Sequence, residues 1–204
     1  MGVMEKNRQR IRYITVTGML SALATLLMIL EFSVPFLMPE FIKLDFSEMP
    51  ALIAAFSMGP ISGVTVCLIK NLIHLTVSTT SGVGELANFL LGCAFVLPAG
   101  LIYYYRKNRK MALIGSLMGA FAMAVISLPI NYFVTYPFYS HFMPLEMIIG
   151  AYQKIVPGVD GLFWCLLFFN VPFTFLKGVL NAAITFLVYK HISPFIHGKS
   201  ESSN

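Results

Sequence analysis

The chain has 204 residues, of which 57% are hydrophobic and only 11% are charged, against about 25% charged in a soluble domain. Too little charged surface exists to cover a water-facing globule, so the chain reads as a single-domain polytopic membrane protein. The formal net charge is +5, and where those charges fall matters more than their sum. Long apolar runs without polar–apolar alternation select helices over a β-barrel.

Residues 1–12 are basic and lead into a first predicted helix over Tyr13–Ser33, closed by Val34-Pro35. Its apolar run of about 20 residues is too long for a signal-peptide core and no small-residue cleavage site follows, so it reads as an uncleaved membrane span. Gly18-x-x-x-Ala22, with Ser21 and Ala24, gives this helix a face of small residues at the spacing that lets helices approach closely. Packing inside the bundle explains that face as well as a partner does. In the connecting segment 34–49, Lys43, Asp45 and Glu48 alternate with Phe41, Leu44, Phe46 and Met49. Charges this dense do not sit in hydrocarbon, so the segment is expected at or outside the membrane surface, folded as a lid over a cavity. A second helix starts near Pro50, which suits a first helical turn, and breaks at Gly59-Pro60. Its length of about 15 Å falls short of the ~30 Å hydrocarbon core unless the end of the lid dips in with it.

Further helices are expected over Ile61–Val77, Gly84–Tyr105, Met111–Pro137 and Gly161–Ile192. The loop Ser78–Gly82 and a longer one with Pro144, Pro157 and Gly158 join them on one side. Six crossings put both termini on the other side, together with Lys6, Arg8, Arg10, Arg12, Arg106, Lys107, Arg109, Lys110, Lys190 and Lys199. The positive-inside rule makes that side the cytoplasm. The expected fold is an all-α bundle of six transmembrane helices in a cell membrane, one domain over 1–204. Its N-terminus (1–12) and tail (193–204) are cytoplasmic and its lid extracellular. Cys67, Cys93 and Cys165 lie in apolar runs without C-x-x-C spacing or a nearby His cluster, and read as small buried hydrophobes.

Charged and amide groups inside apolar helices are costly, so each is a candidate site residue. They are Lys70, Asn71 and His74, then Glu85 and Asn88, then Asn131, and finally Asn170, Lys177 and Asn181. Lys70 with His74, and Lys177 with Asn181, are four apart and share a face. The competing reading is structural, an inter-helix Lys70–Glu85 ion pair with His74 as a plain donor. The chain has no Walker A loop, G-x-S-x-G, H-E-x-x-H or acid-rich metal cluster. Neither an enzyme, a cofactor site nor a self-powered pump is therefore expected. A stand-alone channel or small membrane enzyme is the alternative from a different class. The polar groups occupy the middle and outer parts of the predicted helices and the inner halves look closed, which favours a cup over a pore.

Several stretches together resemble a known family. They are Lys43-Leu-Asp-Phe-Ser-Glu-Met-Pro-Ala-Leu-Ile-Ala, Gly59-Pro60-Ile-Ser-Gly63, Ile69-Lys70-Asn71-Leu-Ile-His74 and Gly84-Glu85-Leu-Ala-Asn88-Phe-Leu. Asn131-Tyr132-Phe133 and Pro172-Phe-Thr-Phe-Leu-Lys177-Gly178 continue the match. In order and at compatible spacings, they resemble the riboflavin-specific S-components of energy-coupling factor transporters. That resemblance implies a prokaryotic six-helix vitamin-binding protein whose site near the extracellular face is covered by the loop after the first helix. It implies riboflavin or a related flavin as transported ligand, and a transmembrane T-component with two cytoplasmic ABC-type ATPases as partners. Gly18 and Ala22 would be the partner contact. Membrane lipid is the remaining partner, and nucleic acid is not one.

The family's flavin-reading residues, an Asn on the fifth helix and an Asn-x-x-Lys on the sixth, fall on Asn131 and Lys177, with Thr174 in place of the second Asn. A Thr hydroxyl cannot supply the paired donor and acceptor of an amide. A flat ring with one uracil-like edge suits an aromatic-lined cavity with a few convergent polar groups. The expected binding set is Leu44, Asp45, Glu85, Asn88, Asn131, Thr174 and Lys177, with ribityl hydroxyls near Asp45, Glu85 and Asn88. Within the class, another flat heteroaromatic vitamin, such as thiamine or a pyridoxine-like ring, is the alternative.

Overall fold

The computed structural model describes residues 3–78 and 80–197, and Lys199 with most of the expected tail lies outside them. Helix α1 runs over Val3–Ile29, starting well before Tyr13 because the basic stretch is rich in good helix formers. It stops at Ile29, before the expected Ser33, because Phe32–Ser33 (β1) turns to pair antiparallel with Lys43–Leu44 (β2). Helix α2 covers Glu48–Met58 and α3 covers Pro60–His74, extended by a 3-10 turn over Leu75–Val77. Between α2 and α3, Gly59 has φ +105°, a conformation glycine adopts freely, and the break makes Pro60 the first residue of α3.

Helix α4 spans Val83–Tyr105, and α5 spans Arg109–Ile130 with the Asn108 side chain accepting from the Met111 amide at 2.8 Å. From here the structure departs from unbroken helices. A π-helical turn over Asn131–Thr135 joins α5 to the short α6, Tyr136–Tyr139. A second π turn over Leu166–Asn170 joins α8, Leu162–Cys165, to α9, Val171–His197. A proline has no N–H and its ring crowds the carbonyl four residues earlier. For Pro137 and Pro172 those carbonyls belong to Phe133 and Phe168, each inside a π turn, so the wide turn makes room for the ring. The loop expected between these regions contains a helix, α7, over Leu145–Gln153.

Among the described residues, five helical stretches are long and apolar enough to cross a membrane: Met4–Ile29, Pro60–Val77, Val83–Tyr105, Arg109–Tyr139 and Leu162–Val188. Helix α2 is not among them; at 11 residues it is about 16 Å long. It is the axis of the bundle instead. Ala51, Leu52, Ile53 and Ala54 are 0% exposed, and α1, α3, α4 and α9 pack around them.

Lipid is as apolar as a leucine side chain, so helices in a bilayer associate through close van der Waals contact, and small residues permit it. A Cβ at Gly63 would lie 2.8 Å from the Ala55 Cβ, and one at Gly178 would lie 2.8 Å from that of Ala120. The small residues of α1 divide between two faces. Ser21 and Ala24 turn inward beside Thr17, whose hydroxyl lies 3.0 Å from that of Ser62 on α3. Gly18 and Ala22 are exposed, and a Cβ at Gly18 would meet nothing within 4 Å. A second cluster of Met38, Leu44, Tyr136, Ile148, Tyr152 and Phe173 forms under the segment that joins α1 to α2.

This packing makes a direct prediction. A methyl group at Gly119 would run into the Phe95 carbonyl oxygen on α4, and overpacking of that kind costs about 1–3 kcal/mol. Gly119→Ala should lower the melting temperature of the detergent-solubilised protein, whereas Gly18→Ala should not. Equal melting of the two variants would contradict the close α4–α5 approach.

Candidate functional site

Between the two clusters lies a cavity of about 210 Å³, several times the ~30 Å³ a water occupies in the liquid. Phe41 and Ile42 of the segment after α1, Leu91, Met123, Tyr136 and Phe173 supply apolar walls. A second cavity of about 350 Å³ adjoins it, and Phe41, Lys43, Thr80 and Tyr139 line both.

The segment after α1 is anchored from inside. Asp45 Oδ2 accepts from Lys177 Nζ of α9 at 2.7 Å, and Asn181 Nδ2 lies 3.2 Å from the Asp45 carbonyl oxygen. The Ser47 hydroxyl donates to Asp45 Oδ1 and accepts from Lys70 Nζ of α3. Lys70 Nζ in turn stands 2.9 Å from Glu48 Oε1, both side chains being 0% exposed. Two cations thus hold Asp45, Ser47 and Glu48 together. Burial by itself would raise the Asp45 carboxyl. The ammonium groups of Lys177 and Lys70, with hydrogen bonds from Lys177 and Ser47, outweigh burial and hold it well below the usual carboxylate range.

Within the segment expected as a lid, Asp45 and Glu48 are buried by protein, where cations on α3 and α9 compensate them. Lys43 stays at the rim, paired with Glu31, and Glu40 is exposed. Lys70 does not pair with Glu85. Its partner is Glu48, and Glu85 instead takes a 2.9 Å contact with His74 Nδ1. The Ser78 and Thr80 hydroxyls also donate to Glu85, at 2.8 and 3.0 Å, tying the α3–α4 turn to the head of α4.

The remaining polar lining comes from α5, α9 and their π turns. Asn131, at the start of the first π turn, is buried, lines the cavity, and has no side-chain hydrogen bond among the described residues. The same holds for Thr174. Both therefore keep their capacity for a ligand, and for the Asn131 amide that means donor and acceptor side by side. Asn170 is engaged, its Oδ1 accepting from the Tyr152 hydroxyl at 2.7 Å. No group of three or more His, Cys, Asp or Glu side chains among the described residues is placed to hold a metal ion.

Six of the seven residues expected to bind a ligand line this one cavity: Asp45, Glu85, Asn88, Asn131, Thr174 and Lys177. Leu44 is not in the lining; it is buried in the second cluster, opposite Phe32 across the strand pair. The sequence reading did not single out Phe41, Thr135, Tyr136, Tyr139 and Phe173, which also line the cavity, and named Asn170 only as a candidate. For α9 the signal was there, because Asn170, Phe173, Thr174 and Lys177 fall at i, i+3, i+4 and i+7.

Comparison with known proteins adds an independent line. Residues 12–189 match the family model of the substrate-specific component of ECF transporters. The chain is 33% identical over 190 residues to the riboflavin transporter RibU of Staphylococcus aureus strain TCH60, covering 93% of this chain and 95% of that one. It is 29% identical over 192 residues to the riboflavin transporter FmnP of Bacillus subtilis strain 168, covering 92% and 95%. A solved structure of the S component of a bacterial ECF transporter superposes with a TM-score of 0.71 at 31% identity, over 92% of this chain and 98% of that one.

Two predictions follow from the buried charges. Lys70→Met leaves Glu48 without its cation and should destabilise the protein by about 3–5 kcal/mol. Adding Glu48→Leu should restore much of that loss in thermal unfolding, and a double variant as unstable as the sum of both would dissolve the pair. For Asp45, the folded state lies below the unfolded pKa of about 3.9. Its contribution is complete above that value and is lost only as pH falls through the lower folded one. The stabilisation from this pair should therefore stay level between about pH 8 and pH 5. A decline over that range that Asp45→Asn removes would contradict it.

Proposed function

The chain belongs to the substrate-specific components of ECF transporters, and from that premise we propose that its cavity is a riboflavin site serving vitamin uptake. It is a transport component and not an enzyme. The observation that carries the flavin reading is the Asn131 amide, buried and without a side-chain hydrogen bond among the described residues, against an aromatic-lined cavity. A uracil-like edge alternates carbonyl oxygens with N–H, and an unused amide meets such an edge with one donor and one acceptor. Lys177 spends one donor on Asp45 and has two more, and the Thr174 hydroxyl one turn away, without a hydrogen bond among the described residues, can meet the same ring. Tyr136, Tyr139 and Phe173 supply faces for the isoalloxazine. The ribityl hydroxyls then meet Glu85 and Asn88 on α4 and the Asp45 side, while Leu44 backs the site from the cluster behind it.

In this reading the 204 residues form one integral-membrane domain with both termini in the cytoplasm. The segment 34–49 lies on the extracellular side as a lid over the cavity. Helix α2, with the inner end of the lid, counts as the sixth transmembrane segment, too short to meet lipid on its own and enclosed by longer helices. The basic residues of α1 and of the α4–α5 turn support that orientation.

Energy comes from other chains, a transmembrane T-component and two cytoplasmic ATPases, docking in part on α1. The outward setting of Gly18 and Ala22 supports this contact, because the internal packing of α1 rests on Thr17, Ser21 and Ala24 instead.

Three measurements test this reading. The purified protein should quench riboflavin fluorescence and show flavin absorption in the visible; no binding at micromolar riboflavin, or tighter binding of thiamine or pyridoxine in competition, would reject it. Lys177→Ala should weaken riboflavin binding about 10- to 150-fold, the equivalent of a charged hydrogen bond of about 1.5–3 kcal/mol, and more than Lys70→Ala does. Gly18→Leu or Ala22→Leu should abolish co-purification with the T-component and uptake while leaving riboflavin affinity and melting unchanged. Loss of all of these together would return the α1 face to internal packing.

A further inference from the structure

Tyr152 is a buried polar residue that the flavin site does not use directly. It sits on α7, is 0% exposed, and is absent from the cavity lining. Its hydroxyl donates to Asn170 Oδ1 at 2.7 Å and also meets the Tyr136 hydroxyl, while Asn170 Nδ2 lies 3.3 Å from that Tyr136 oxygen. The short contact has the length of an O–H···O bond and the longer one suits an N–H donor. The three groups close a ring with one direction. Tyr136 donates to Tyr152, Tyr152 donates to the amide oxygen, and one amide N–H returns to Tyr136. Burial, with the Tyr136 hydroxyl beside it, pushes the Tyr152 hydroxyl far above the ordinary phenol value, so it keeps its proton.

We propose that Tyr152 is a positioning residue for the vitamin site: by holding the Asn170 oxygen, it turns the amide so that its second N–H faces the cavity and donates to an acceptor on the bound ring. This inference rests on the flavin reading. Asn170 closes the second π turn and lines the cavity one turn before Thr174 and two turns before Lys177, so that wall offers donors. Across the cavity, Asn131 offers both a donor and an acceptor. A ligand carrying an amino group where riboflavin carries an acceptor would face a donor with a donor, and that mismatch is a means of selection. Phe41 stands edge-on to the Tyr136 and Tyr152 rings, with centroids 6.4 and 6.2 Å away. Tyr152→Phe keeps that ring contact and removes only the hydroxyl.

The test is a double-mutant cycle read as riboflavin affinity by fluorescence quenching, with wild type, Tyr152→Phe, Asn170→Ala and the double variant. Tyr152→Phe should weaken binding about five- to tenfold. It should add nothing in the Asn170→Ala background, since a residue acting only through another is silent once that other is gone. Multiplying losses in the double variant, or full affinity in Tyr152→Phe, would overturn the inference while leaving the flavin reading intact. If wild type binds no riboflavin, both fall together. Should Tyr152→Phe fail to fold, Asn170→Asp decides: it keeps the shape and loses the N–H donors, so it should bind as weakly as Asn170→Ala, and wild-type affinity there would refute the donor role.

Discussion

Two lysine ammonium groups inside a bundle with almost no other charge set the terms for the rest of this structure. A lone cation at such depth is costly, and it persists only where a carboxylate or carbonyl meets it. Here both counter-charges come from one short stretch of chain, Asp45 for Lys177 and Glu48 for Lys70, with Ser47 bridging them. That stretch must therefore lie inside the bundle, which fixes where α2 starts and how α3 and α9 face each other. The outer part of the same segment has far weaker fastenings, a two-residue strand pair and a Lys43–Glu31 contact at the rim. Exposed pairs contribute about 0–1 kcal/mol, against several for breaking a buried one. A segment strong at its inner end and weak at its outer end can admit a ligand without exposing the lysines.

The cavity owes its position to two interruptions. Close packing at Gly63, Gly119 and Gly178 brings neighbouring helices into direct contact. Toward the other end, the π turns before Pro137 and Pro172 widen α5 and the run into α9. Wide turns break the regular ladder and re-aim side chains, and they recur at functional sites. In this protein each contains an asparagine that lines the cavity, Asn131 opening the first and Asn170 closing the second. The two differ in what they can do. Asn131 has no side-chain hydrogen bond among the described residues and suits a mixed donor–acceptor edge, whereas Asn170 is held by Tyr152. Lys177 both braces Asp45 and keeps donors free, so structure and recognition share one side chain.

The sequence by itself determined the membrane class and the helical architecture, and it named six residues that line the cavity. Hydrocarbon penalises unpaired polar groups so heavily that any such group in an apolar run has to be functional or paired. This one rule found Glu85, Asn88, Asn131 and Lys177, the resemblance added Thr174 and the ribityl reading added Asp45, and the tertiary structure gathers all six around one cavity. The same rule is silent on partners. Spacing says that Lys70 and His74 share a face but not which carboxylate reaches that face, so Glu85 and Glu48 were equivalent until the chain folded. It did not show that Asp45 and Glu48 would be buried by protein, because local composition carries no information about cations more than twenty residues away, as the contacts to Lys70 and Lys177 show.

Rotation about a helix axis is likewise a tertiary quantity. Gly18, Ser21, Ala22 and Ala24 are all small, and only packing against α2 and α3 turns Ser21 and Ala24 inward and leaves Gly18 and Ala22 outside. Helix α7 escaped the reading because Pro144 and Pro157 frame a span too short to cross a bilayer, and its stability comes from burying Ile148 and Tyr152 in the cluster beneath. The prolines behind the π turns were visible in the sequence. Their effect was not, since a proline can end a helix, kink it or widen it, and the choice depends on whether neighbouring helices hold the chain on both sides of the break.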